Sequence, residues 1–129
     1  MARILVIDDR PDVAQAIARM LSEHETATET DPRRAVSRVV DGGGFDVVLI
    51  DSGPLLPCVE TTVIARQVDG VVLAIGCGQK QALARDAIVK LGQLKANVLG
   101  TVFNGAEVED FYQVSHHHRI LCICRYASV

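Results

Sequence analysis

The sequence predicts a three-layer α/β/α fold around one five-stranded parallel sheet in the order 2-1-3-4-5. Three observations carry that expectation. Short, continuously apolar, β-branched runs recur along the chain, as buried parallel strands require. Segments with apolar residues at helical spacing separate them. The 129 residues are 49% hydrophobic and 22% charged, with a net charge of −3. Such a chain can bury a full core as one domain and is too apolar to stay disordered. Alternating strands and helices then favour parallel pairing with helices on both faces.

The elements follow in order. Arg3-Ile4-Leu5-Val6-Ile7 is the first strand and ends at Asp8-Asp9. Pro11 suits the first turn of the next helix, where its missing N–H costs nothing. Val13, Ile17, Met20 and Leu21 carry that helix to about Ser22. His24 to Thr30 alternates threonine with polar residues and reads as a short strand nearer an edge. Asp31-Pro32 starts the second helix, with Asp as cap and Pro at the first helical position. Ala35, Val36, Val39 and Val40 continue it, and Asp41-Gly42-Gly43-Gly44 ends it. Phe45 to Ile50 is the third strand, closing on Asp51. Ser52 to Pro57 is a loop, Thr61 to Gln67 a short helix and Gly70 to Ile75 the fourth strand. After the Gly76-Cys77-Gly78 turn, Gln81 to Leu94 is the longest helical pattern, with Leu83, Ile88, Leu91 and Leu94 on one side. Asn97 to Phe103 is the fifth strand. In the tail, Glu107 to Val114 suits a final helix, and Ile120 to Cys124 either continues it or forms a sixth strand. The order 2-1-3-4-5 is that of flavodoxin-like folds, whose ligands sit beyond the C-terminal strand ends.

Charge divides the chain. Met1 to Asp51 holds ten acids, six arginines and no lysine, a net −4; Ser52 to Val129 holds six acids and seven bases, a net +1. A net-acidic chain without a basic stripe is a poor partner for nucleic acid. No apolar run approaches the ~20 residues that span a bilayer. Met1-Ala2-Arg3 leads into a strand with no signal-peptide layout, so a cytoplasmic protein is expected. Cys58, Cys77, Cys122 and Cys124 are irregularly spaced and expected to be reduced there.

The chemistry concentrates at two strand ends. Asp8 and Asp9 close the first strand and Asp51 the third, and the expected order makes those strands neighbours. Three close carboxylates repel unless a cation lies between them, and hard oxygen donors suit Mg²⁺. One carboxylate is then placed to attack an incoming phosphoryl group. The plainer reading is that Asp8 and Asp9 cap a helix and Asp51 opens a loop.

Ile4-Leu5-Val6-Ile7-Asp8-Asp9-Arg10-Pro11-Asp12-Val13, with Asp51 after Phe45-Asp46-Val47-Val48-Leu49-Ile50, resembles bacterial response-regulator receiver domains over about residues 2 to 51. The resemblance implies Asp8 and Asp9 as magnesium ligands, Asp51 as phosphoacceptor, and a phosphodonor or histidine kinase as partner. The second half departs from that pattern. A receiver usually has Thr or Ser after strand four and Lys after strand five. Here Gly76-Cys77-Gly78 and Asn104-Gly105 stand in those places. Without the lysine an acyl phosphate loses a charge-assisted contact worth ~1.5–3 kcal/mol.

A second resemblance begins where the first fades. Phe45 to Pro57, Ala65 to Leu73 and Val98 to Asn104 are similar to the C-terminal part of the bacterial tyrosine kinases of exopolysaccharide export, which use a deviant P-loop NTPase fold. That resemblance implies Asp51 as a Walker B carboxylate and Asn104 as a residue near a nucleotide base. No G-x-x-x-x-G-K-[ST] occurs, however, so nothing cradles the phosphates of a nucleotide. Enzymatic activity is not expected on that ground. The family's tyrosine-rich tail is represented only by Tyr112 and Tyr126.

Taken together, one domain over 1–129 is expected: receiver-like to 51, NTPase-like from 52 to 105, and an unassigned tail from 106. The expected function is a degenerate receiver-like domain that binds Mg²⁺ through Asp8, Asp9 and Asp51. The alternatives are an engineered or recombined hybrid scaffold without catalysis and a nucleotide-binding remnant using Asp51 and Asn104. The cluster His116-His117-His118 with Cys122 and Cys124 matches no zinc spacing. Cys77 reads as a small residue in a tight turn rather than as a reactive thiol.

Overall fold

A computed structural model describes residues 1–41 and 43–105, and the backbone of Cys122–Cys124. The chain is mixed α/β. Its elements are β1 (Arg3–Ile7), α1 (Pro11–Met20), β2 (Glu25–Glu29), α2 (Pro32–Val40), β3 (Val47–Ile50), α3 (Val59–Gln67), β4 (Val71–Gly76), α4 (Gln81–Gln93), β5 (Val98–Asn104) and β6 (Cys122–Cys124). It divides into two compact units, and the division falls between Asp51 and Ser52.

The first unit holds a parallel sheet in the order β2-β1-β3. Ile4, Leu5 and Val6 of the central strand are all buried, as a strand covered on both faces requires. Ile4 and Val6 pack with Ala14 of α1, and Ile17, Leu21, Val47 and Leu49 close the cluster. The start of α2 is specified locally. Asp31 Oδ1 accepts the Arg33 N–H at 2.8 Å, and Pro32 takes a position whose N–H has no helical partner. Met20 (83% exposed), Val36 (63%) and Val40 (74%) lie outside the core, so the buried stripes of α1 and α2 are narrower than their apolar spacing suggests.

The second unit holds the sheet β5-β4-β6, in which β4 and β5 run parallel. Leu73 and Ile75 of β4 pack with Leu55, Ala65, Ala84, Ala87 and Leu91. A Cβ on Gly70 would run into the Leu99 side chain, so glycine is what lets β5 approach the start of β4. The α4 face differs from expectation. Leu83 and Ile88 are exposed, and the helix buries Ala84, Ala87 and Leu91 instead. The small alanines bring the helix close to its sheet.

The single five-stranded sheet is replaced by two three-stranded ones. The pairings β2-β1-β3 and β4-β5 of the expected order are present, each within its own unit, and β4 has β5 on one edge and β6 on the other. Of the two readings left open for Ile120 to Cys124, the structure has a strand over Cys122–Cys124. The expected helix from Glu107 to Val114, Tyr112 and Tyr126, and the His116 to His118 cluster lie outside the described residues.

Candidate functional site

The site is built by the register of the first sheet. Ile7 pairs with Glu29 of β2 on one side and with Ile50 of β3 on the other. One residue further on, the Asp8 N–H donates to the Glu29 carbonyl at 3.2 Å, and the Asp51 N–H donates to the Ile7 carbonyl at 3.0 Å. Asp8 and Asp51 therefore leave the C-terminal edge of the sheet side by side. Asp8 is only 6% exposed. Its Oδ1 accepts the Arg10 N–H at 2.7 Å, which turns the carboxylate toward the start of α1. Asp9 is exposed and Asp51 half-buried.

The backbone brings Asp8, Asp9 and Asp51 to one edge. Their side chains do not converge into a cage: among the described residues no group of three or more His, Cys, Asp or Glu side chains could hold a metal ion. Asp8 is engaged with Arg10, Asp9 points to solvent, and three anions gain nothing by approaching one another without a cation.

Glu29 is a fourth acid on this edge, one that reading the strand as a polar edge missed. It is 7% exposed although its neighbours along β2 are polar. Its Oε1 accepts the N–H of Thr30 at 3.1 Å and of Asp31 at 3.2 Å, and its Oε2 faces Arg38 at 3.5 Å and Arg34 at 3.7 Å. The Asp31 N–H foremost, then the Thr30 N–H and the two guanidinium groups, holds the Glu29 carboxyl below the usual glutamate value against the opposing effect of burial. The available signal was an acid at a strand end followed by arginines five and nine residues on. Nearer the surface, Arg10 bonds Asp12 at 2.8 Å and holds the Asp12 carboxyl below its usual value.

Asn104 ends β5 in the second unit, where its carbonyl accepts the Cys77 N–H at 2.8 Å and its side chain is exposed. The positions of the missing receiver residues are tight turns. Gly78 follows β4 with φ +98° and Gly105 follows β5 with φ +73°, conformations that glycine adopts without strain. Neither Cys58 nor Cys77 is in a disulfide. Among the described residues no helix is long and apolar enough to cross a membrane.

Comparison with known proteins gives a partial match. Over 51 residues the chain is 45% identical to the transcriptional regulatory protein TcrA of two Mycobacterium tuberculosis strains, H37Rv and CDC 1551. The match supports a receiver-like segment. It covers 38% of this chain, and the chain spans about a fifth (20%) of the length of these curated relatives. Neither relative supports the likeness of residues 45 to 105 to exopolysaccharide-export kinases. No family model matches the chain. No solved structure matches it.

Proposed function

We propose that the first unit is a receiver-like module in which Asp51 accepts a phosphoryl group beside an Mg²⁺ held by Asp8, Asp9 and Asp51. The observation that carries this reading is the Asp51 N–H to Ile7 carbonyl bond, which sets Asp51 next to Asp8 at the end of parallel strands. The partial likeness to a transcriptional regulatory protein supports it. The donor chemistry suits the ion, and holding it would require the three side chains to turn inward from the separate positions they occupy without it. All three donors are carboxylates, and one of them, Asp8, is buried with a backbone N–H on a single oxygen. Bound there, the ion would neutralise the carboxylates and the phosphoryl oxygens.

The chain's own residues do the rest. An Asp51 oxygen attacks phosphorus, the bond from phosphorus to the donor breaks, and the donor leaves with that bonding pair. The Arg10 N–H fixes the Asp8 carboxylate, and the β1–β3 ladder fixes Asp51. The donor is a small acyl phosphate or the phosphohistidine of a kinase. The sequence favours a module degenerate in its output, because Cys77 and Asn104-Gly105 stand where a receiver has Thr or Ser and Lys. The chain has no catalytic activity toward other substrates in this reading, and its place is the cytoplasm.

A second reading has an observation of its own. The chain changes unit between Asp51 and Ser52, each side with its own sheet and core. That favours a hybrid scaffold, joined at the strand shared by the two resemblances and without activity. The readings separate by intact mass. Incubated with Mg²⁺ and a small acyl phosphate, the module gains the mass of one phosphoryl group, and Asp51→Asn gains none. No gain in the wild-type chain, or an equal gain in the variant, leaves the scaffold.

A further inference from the structure

A second chemical feature lies on α2, beside the Glu29 end of the carboxylate edge. Arg33, Arg34, Ser37 and Arg38 line an open concavity of about 440 Å³. Residues four apart share a helix face, so Arg33 with Ser37 and Arg34 with Arg38 form two adjacent rows.

Two of the three guanidinium groups are held from beneath. The buried Glu29 carboxylate spends Oε1 on the Thr30 and Asp31 N–H groups and presents Oε2 to Arg34 and Arg38. Arg38 also donates from Nη1 to the Thr28 carbonyl at 2.9 Å, and its guanidinium lies 5.9 Å from the centre of the Phe45 ring. A guanidinium carries five N–H donors. Arg34 meets Glu29 through Nε and Arg38 through Nη1, which leaves the two terminal nitrogens of Arg34, and Nε and Nη2 of Arg38, for a ligand. The Arg33 guanidinium makes no hydrogen bond or ion pair with the described residues.

Arg33 and Arg34 stand in the first turn of α2, where the helix dipole disfavours cations and no acid shares the turn, while Arg38 stands in the last turn, where the dipole favours it. The cap residue Asp31 and the buried Glu29 offset part of the positive charge. Arginine forks match phosphate oxygens in pairs, which a point-charge lysine cannot do, and the first unit has no lysine at all.

We infer that the α2 concavity binds the phosphate end of a small organic phosphate, with Arg33, Arg34 and Arg38 donating hydrogen bonds to the phosphate oxygens and the Ser37 hydroxyl as a further donor. This site is independent of Asp51 and of Mg²⁺. The net acidity of the chain hides it, because charge acts locally over about a Debye length of ~8–10 Å.

Calorimetric titration of the full chain with ADP, in EDTA to remove divalent ions, tests it. ADP binds, and the affinity falls as salt rises. Arg33→Gln, which breaks no ion pair among the described residues, weakens binding about tenfold. Arg33→Lys recovers part of the loss by restoring charge without the fork. Arg34→Gln gives a second, independent loss, and circular dichroism reports whether each variant is folded. No heat at millimolar ADP overturns the inference, as does a folded Arg33→Gln that binds like the wild type. Binding of a short DNA duplex lost in Arg33→Gln, with no binding of ADP, also overturns it in favour of a macromolecular phosphate surface.

Discussion

The two units end their strands in different chemistry. In the first, β1 runs into Asp8 and Asp9, β2 closes on Glu29 and β3 runs into Asp51. In the second, β4 runs into Gly76-Cys77-Gly78 and β5 into Asn104-Gly105. Parallel pairing is common to both. It supplies the same place for a ligand in each, beyond the carboxyl ends of the strands. The side chains decide whether anything happens there. The first unit places acids at that edge and holds Asp8 and Glu29 by backbone N–H groups. The second unit uses glycines to turn the chain. Burial differs too: the central residues of β1 are inaccessible, whereas every residue of β5 is exposed.

The largest effects test whether each core serves its own unit. Leu5→Ala in the first unit and Leu73→Ala in the second each remove a fully buried side chain. Each is expected to cost about 2–5 kcal/mol in urea unfolding. Hydrogen exchange should show the loss of protection concentrated in the unit that carries the substitution. Equal loss in both units from either variant would break the comparison.

The cap comes next. Asp31→Ala removes the acceptor for the Arg33 N–H and is expected to cost about 1 kcal/mol, with helical signal lost from α2. Stability unchanged within a few tenths of a kcal/mol would show that Pro32 and packing specify the helix start without the cap.

A smaller effect is visible as a pH slope. The Glu29 carboxyl is held below its usual value in the folded chain, so its stabilising contribution is complete above the unfolded-state value. It is lost as pH falls from there through the lower folded-state value. Glu29→Gln should therefore flatten the acid limb of a plot of melting temperature against pH and change little near neutrality beyond a constant offset. An unchanged acid limb would mean that Glu29 is not the acid that couples α2 to the sheet. The exposed Arg10–Asp12 pair is the weakest of these interactions, and Asp12→Asn should leave the melting temperature at neutral pH unchanged within error.

How much of this was legible in the sequence follows from the range of each interaction. The first strand, the Asp31-Pro32 helix start and the strand closing on Asp51 are set by residues within a few positions of one another. The adjacent ends of the first and third strands are a long-range feature, Ile4 pairing with Val47, and were expected from strand order rather than from local residues. The pairing of β4 with β6 joins segments more than forty residues apart, and no local pattern records it. The buried face of α4 was misread in part, although Leu91 is buried as expected, because Ala84 and Ala87 are buried with little apolar surface while the larger Leu83 and Ile88 stay out. Glu29 was missed because its burial depends on arginines that reach it only once α2 has folded against β2.

The most direct measurement is a calorimetric Mg²⁺ titration of the wild-type chain beside Asp51→Asn and Asp8→Asn. The account expects one Mg²⁺ per chain and an affinity at least about tenfold weaker in each variant, since each loses a charged ligand. An affinity that is the same in all three chains, or the absence of binding to the wild type, would contradict it.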